Sequence, residues 1–165
     1  MALSYCWTTA NPDRTILVSG QEFQVRPNLY HYLQQVQKES RHDWMFIDAI
    51  CIDQTKPAEK STQVRLMGDV YCSATLVEIW LGIVRTSDDY SARRLQDDAN
   101  RLDDLDLHPE NPVLLVPAII DHMYSSEYWT RLWIVQEVLL ARTLVIRFGP
   151  LRVPWDTFTA SLIHN

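Results

Sequence analysis

Residues 44–52 read WMFIDAICI, an apolar run broken only by Asp48. A run of this kind suits a strand covered on both faces, as in a parallel sheet, since an alternating half-solvated strand would carry polar residues at every second position. A sheet covered on both faces needs helices in layers on either side of it. The rest of the chain supplies matching pieces. Ala2 to Tyr5 reads as a short first strand, Thr75 to Leu81 (TLVEIWL) as a strand closed by Gly82, and Leu144 to Phe148 as a strand ended by Gly149-Pro150. Between them lie helical patterns. Pro27-Asn28 opens a helix, with Asn28 as its N-cap and Leu29, Leu33 and Val36 on one face. Pro57 to Ser73 carries Val64, Met67 and Tyr71 on one stripe. Val113 to Met123 reads as a helix perturbed by Pro117, Thr130 to Ala141 as the strongest helix of the chain, and Trp155 to Ile163 as a short final one. This alternation predicts an α/β fold of three layers, a mainly parallel sheet flanked by helices. Ile16-Leu17-Val18 and Phe23-Gln24-Val25, on either side of Ser19-Gly20-Gln21, add a β-hairpin near the N-terminus.

The 165 residues fit a single domain over 1–165. With 47% hydrophobic and 22% charged residues, the chain has the composition of a globular protein rather than a disordered one. Residues 88–110 hold eight acids and three arginines, so this stretch carries −5 of the total formal charge of −6. Together with Pro109 and Pro112 it predicts an acidic, solvated insertion at about 86–110. The acidic balance leaves no electrostatic footprint for nucleic acid or an anionic membrane. No apolar run reaches the roughly 20 residues of a membrane span, and MALSYCWTT has no signal-peptide pattern. The odd set of Cys6, Cys51 and Cys72 in apolar surroundings reads as reduced, hence cytoplasmic. Four glycines, with no GxGxxG and no P-loop, leave no cradle for a tightly bound cofactor, and no Cys/His spacing calls for a metal.

The candidate chemistry rests on a few residues. On a helical wheel Glu137 points with Trp133, Thr130, Ile134 and Ala141, on a helix apolar over most of its circumference. A carboxylate there is partly desolvated and its pKa rises. It is either paired with Arg131 or Arg142 or it lines a pocket. Asp48 and Asp53 bracket the end of the apolar run, and ligands of open α/β sheets bind outside the carboxyl ends of strands. Asp48 therefore either faces a ligand or caps the following turn. Ser4, Tyr5 and Trp7 stand at the carboxyl end of the first strand, where Trp7 either stacks on a flat ligand or packs a loop. Cys51, with His42 as a base, has no nucleophile signature around it, so a buried apolar role is expected.

Three blocks stand in order: ALSYCW (2–7), FIDAICIDQ (46–54) with EKSTQVRLMGDVYCSA and WLG (59–82), and YWTRLWIVQEVLLAR (128–142). Together they resemble the heterokaryon incompatibility (HET) domain of filamentous fungi, associated with self/non-self recognition and regulated cell death. That domain is in turn similar to the TIR domain, a flavodoxin-like α/β fold. The resemblance implies that Trp133 and Glu137 match the Trp and the catalytic Glu of enzymatic TIR domains, which cleave NAD. It implies NAD as substrate, Glu137 as the catalytic carboxylate, and Ser4, Tyr5, Trp7, Asp48 and Trp133 as ligand contacts. It further implies self-association, or another cell-death signalling protein as partner. Two rival readings stand beside it: a non-enzymatic homotypic signalling module, and an inactive truncated member whose first strand, starting at Met1, lacks neighbours.

Overall fold

A computed structural model describes residues 1–83, 121 and 123–163. In chain order the elements are β1 (Ala2–Tyr5), β2 (Arg14–Val18), β3 (Gln21–Val25), α1 (Pro27–Lys38), α2 (Asp48–Cys51), α3 (Pro57–Ser73) and β4 (Val77–Trp80). A 3-10 turn (Glu127–Thr130), α4 (Ile134–Leu139), β5 (Leu144–Phe148), β6 (Leu151–Pro154) and α5 (Trp155–Ile163) follow. The main sheet runs β1-β4-β5-β6, and β2 and β3 form the separate antiparallel hairpin. β1 pairs β4 and β4 pairs β5 in parallel, while β6 returns antiparallel on β5. The described α/β architecture is thus the one expected: a mostly parallel sheet, helices, and an added hairpin.

Side chains alternate across the sheet with period two. Leu3, Tyr5 and Trp80 pack with Leu29 and Tyr32 of α1, Val25 of β3 and Ile47. Ala2 and Val77 point the other way, onto Met67 and Tyr71 of α3. Ile79, Ile146 and Phe148 share a cluster with Tyr128, Val153 and Phe158. Helices therefore cover both faces, and strands β4 and β5 are buried nearly throughout. β1 has partners on both sides, since the backbone of Phe46 bonds Met1 and Leu3 opposite the β4 edge.

Several expectations are corrected. Residues 44–52 do not form a strand. Phe46 makes one isolated bridge to Ala2, and from Asp48 the chain turns into the four-residue helix α2. The Asp48 carboxylate takes the Ala49 N–H at 2.7 Å, and the amides of Ile50 and Cys51 return to the Ile47 carbonyl. Burial here is one-sided: Ile47 is inside, whereas Trp44 is 95% exposed. Asn28 does not cap α1. Arg26 occupies that position without a side-chain bond, and Asn28 instead donates to the Cys6 carbonyl and accepts from the Trp80 indole. The helix expected over Thr130–Ala141 is broken, because Arg131 is extended between the 3-10 turn and the short α4. Strand β6 is an addition: it pairs Leu151 with Phe148 across Gly149-Pro150. The acidic stretch at 86–110 and most of the helix expected at 113–123 lie outside the described residues.

Candidate functional site

Ser4 and Tyr5 end β1 and point to opposite faces of the sheet, and each meets a carboxylate. On the α4 side, Ser4 donates to Glu137 and lies 2.6 Å from the Tyr128 hydroxyl. With Glu137 ionised, the single Ser4 proton goes to the carboxylate, so Tyr128 is the donor in the second bond. Ser126 caps the turn that carries Tyr128 by accepting its N–H. The break at Arg131 brings that guanidinium to 3.4 Å from Glu137 and 5.8 Å from the Tyr128 ring. The two alternatives for Glu137 are therefore decided in favour of Arg131 as its partner, with Ser4 as a second one.

Glu137 is only 1% exposed on a helix that turns Val135 and Leu139 to solvent, so a charged side chain is buried where apolar ones are left outside. Ile134 and Val138 pack inward beside it, whereas Leu132, Val135 and Leu139 face solvent. The wheel expectation of an apolar helix buried over most of its circumference is corrected accordingly. Burial pushes the Glu137 pKa up, and Arg131 and Ser4 pull against that rise.

On the other face, Asp48 takes the Trp7 indole N–H at 3.3 Å as well as the Ala49 N–H. Burial, together with the negative charge of the same carboxylate, raises the Tyr5 pKa. Burial also raises the pKa of Asp48, against the pull of its N–H donors. The Arg26 guanidinium lies 5.1 Å over the Trp7 ring and pins the indole from a second direction. Asp48 thus makes the local turn contact and stands on the wall of a cleft as well.

That cleft, of about 310 Å³, is lined by Trp7, Asp48, Gln54, Lys60, Arg131 and Trp133 over an apolar floor of Ile52, Val64 and Met67. Trp133 is half-exposed at 48%. Glu137 does not line the cleft; it is held against Arg131, which does. A second cleft of about 450 Å³ opens at the carboxyl ends of β1 and β4, between Cys6, Asn28, Gly82 and Tyr128. The six residues expected as catalytic or ligand contacts (Ser4, Tyr5, Trp7, Asp48, Trp133 and Glu137) are therefore gathered around the end of β1. Tyr128, Lys60 and Gln54 were missed. Tyr128 stands inside the third sequence block, but nothing local shows that its hydroxyl reaches Ser4.

Cys51 is exposed, contrary to the expected buried role, and its sulfur takes the Ile47 N–H at 3.5 Å. Among the described residues no three His, Cys, Asp or Glu side chains gather where they would hold a metal ion. No helix among them is long and apolar enough to cross a membrane.

Residues 1–137, from β1 to the buried Glu137, match the family profile described as Heterokaryon incompatibility protein (HET), and the chain belongs to that family. Among curated proteins it is similar to Heterokaryon incompatibility protein 6, OR allele, of Neurospora crassa, with 40% identity over 85 residues. The match covers 52% of this chain and 10% of that relative, so the chain corresponds to a small part of the longer protein. No solved structure matches the chain.

Proposed function

We propose that this HET domain acts in the cytoplasm in fungal self/non-self recognition and regulated cell death, and that its chemistry is a TIR-like hydrolysis of NAD. The observation that carries the reading is Glu137: a buried carboxylate bonded to Ser4 at the end of β1, beside a cleft walled by Trp7 and Trp133. The sheet order supports it. The Phe46 bridge, β1, β4 and β5 follow one another as strands 2-1-3-4 do in flavodoxin-like sheets, whose ligands bind at the carboxyl edge.

In the reaction the bond between nicotinamide nitrogen and ribose C1′ breaks, and nicotinamide leaves with the electron pair. Water adds to C1′ and loses its proton to solvent or to a carboxylate. The ribose passes through an oxocarbenium-like state, which a nearby carboxylate stabilises. Glu137 supplies that charge, and Trp7 and Trp133 offer faces for the flat rings of the substrate. Ser4, Tyr5 and Asp48 supply polar groups at the strand end. The test is NAD consumption by concentrated protein, wild type beside Glu137→Gln, with folding followed by circular dichroism. The variant is expected to lose about a hundredfold or more in turnover while keeping its fold. Equal turnover would remove Glu137 from the chemistry.

A second reading, a homotypic signalling module, draws on the outward face of α4 and the residues before it. Leu132 is 83% and Leu139 76% exposed, and Val135 lies between them. A cluster of exposed apolar side chains marks an interaction surface. On that reading, Leu139→Glu abolishes self-association, seen as a sedimentation shift, whereas Glu137→Gln leaves it intact.

A further inference from the structure

The cleft beside β1 is charged in an uneven way. Its lining includes two cations, Lys60 and Arg131, and one carboxylate, Asp48. Asp48 is already engaged by the Ala49 and Trp7 N–H groups. Arg131 is only loosely engaged. Its Nη2 stands 3.4 Å from Glu137, longer than the roughly 2.7–2.9 Å of a tight charged hydrogen bond. Its Nη1 is buried and has no hydrogen-bond partner among the described residues. A buried guanidinium donor without an acceptor is costly, and a ligand oxygen would satisfy it. The same cleft presents two indoles, Trp7 and Trp133, over an aliphatic floor. Its volume of about 310 Å³ is near the lower end of ligand cavities, roughly 300–1,000 Å³.

We infer that this cleft takes a mononucleotide-sized ligand, a flat aromatic ring carrying a phosphate, and that Lys60 and Arg131 hold the phosphate. The assignment rests on the reading of the cleft as the substrate site and deepens it, by making the phosphate the recognised feature. The guanidinium fork suits phosphate oxygens, and Lys60 on the first turns of α3 adds a mobile point charge. A phosphate oxygen on the open Nη1 leaves Nη2 facing Glu137, so one guanidinium spans the ligand and the carboxylate. Arg131 is in this sense a positioning residue for Glu137 as well as a phosphate contact.

The test uses the full chain carrying Glu137→Gln, to suppress turnover, and isothermal titration with two matched pairs: nicotinamide mononucleotide against nicotinamide riboside, and AMP against adenosine. The phosphorylated member of at least one pair is expected to bind about tenfold or more tightly than its nucleoside, as a charge-assisted contact predicts. Lys60→Gln, a change at an exposed side chain, is expected to shrink that preference, and Arg131→Gln to erase it, without loss of the fold by circular dichroism. Equal binding of nucleotide and nucleoside, binding of neither, or a preference untouched by both substitutions overturns the inference. The preference is read without catalysis. A phosphate preference in a protein whose wild type leaves NAD intact would therefore sink the hydrolase reading alone.

Discussion

Glu78 lies on β4 with no exposed surface, and three guanidinium groups close on it: Arg41 at 3.1 Å, Arg152 at 3.2 Å and Arg147 at 3.6 Å. The Tyr32 hydroxyl of α1 donates to it at 2.5 Å, and Glu39, just past the end of α1, pairs with Arg147. This network binds α1 to the sheet by charge where the surrounding packing is apolar. Removing one partner of such a set leaves the others buried without compensation. Glu78→Gln is therefore expected to lower stability by about 3–5 kcal/mol in urea unfolding. Glu137 is a buried carboxylate with thinner support, one loose arginine and a serine. Between its unfolded pKa, about 4.3, and its raised folded value, the native state binds more protons than the unfolded one. This group's contribution to stability is thus greatest at low pH and is lost as pH rises through that window. Urea midpoints measured across the window should show that fall in the wild type, and a flatter profile in Glu137→Gln.

At the scale of elements, the hairpin shows what local sequence specifies. Ser19 and Gly20 have φ of 51° and 79°, the two left-handed central positions of a type I′ turn. A Cβ at Gly20 would meet nothing within 4 Å, so the cost of Gly20→Ala is one of backbone alone. It is expected at about 1–2 kcal/mol, read from the shift in the urea midpoint. The hairpin leads through Val25 to Arg26, the residue that covers Trp7, so a local turn supports the site. The run 44–52 and the block 130–141 behave differently. Apolar periodicity over a few residues does not separate a buried strand from a buried helical turn, and Asp48 tipped the balance by holding the Ala49 amide. In the second block a continuous helical pattern is interrupted because Arg131 extends and reaches Glu137, a contact six residues apart that no helical spacing predicts.

For the whole molecule, the sheet joins two helical layers, and the cluster around Ile79, Ile146 and Phe148 ties β4 and β5 to Tyr128 and to Phe158 of α5. Ile146→Ala is expected to cost about 2–5 kcal/mol, measured as a lower urea midpoint, because the cavity would open where several elements meet. The site depends on the same packing, since Tyr128 reaches Ser4 only from its seat in that core. The chain's own sequence determined the strands at 2–5, 77–80 and 144–148, the hairpin, and the helices at 27–38 and 57–73. Those rest on period, glycine turns and proline starts, which act between near neighbours. It also carried the candidate carboxylates Asp48 and Glu137 and the aromatic residues beside them. Only the tertiary structure decided that Phe46 pairs once and then yields to a helical turn, that β6 folds back on β5, and that Asn28 bonds across to the Cys6 carbonyl and the Trp80 indole instead of capping its helix. It alone decided that Glu137 turns inward to Ser4 and Arg131 while leucines face solvent. Each of those outcomes depends on which distant group arrives to satisfy a buried donor or acceptor, and residue order by itself does not contain that distance.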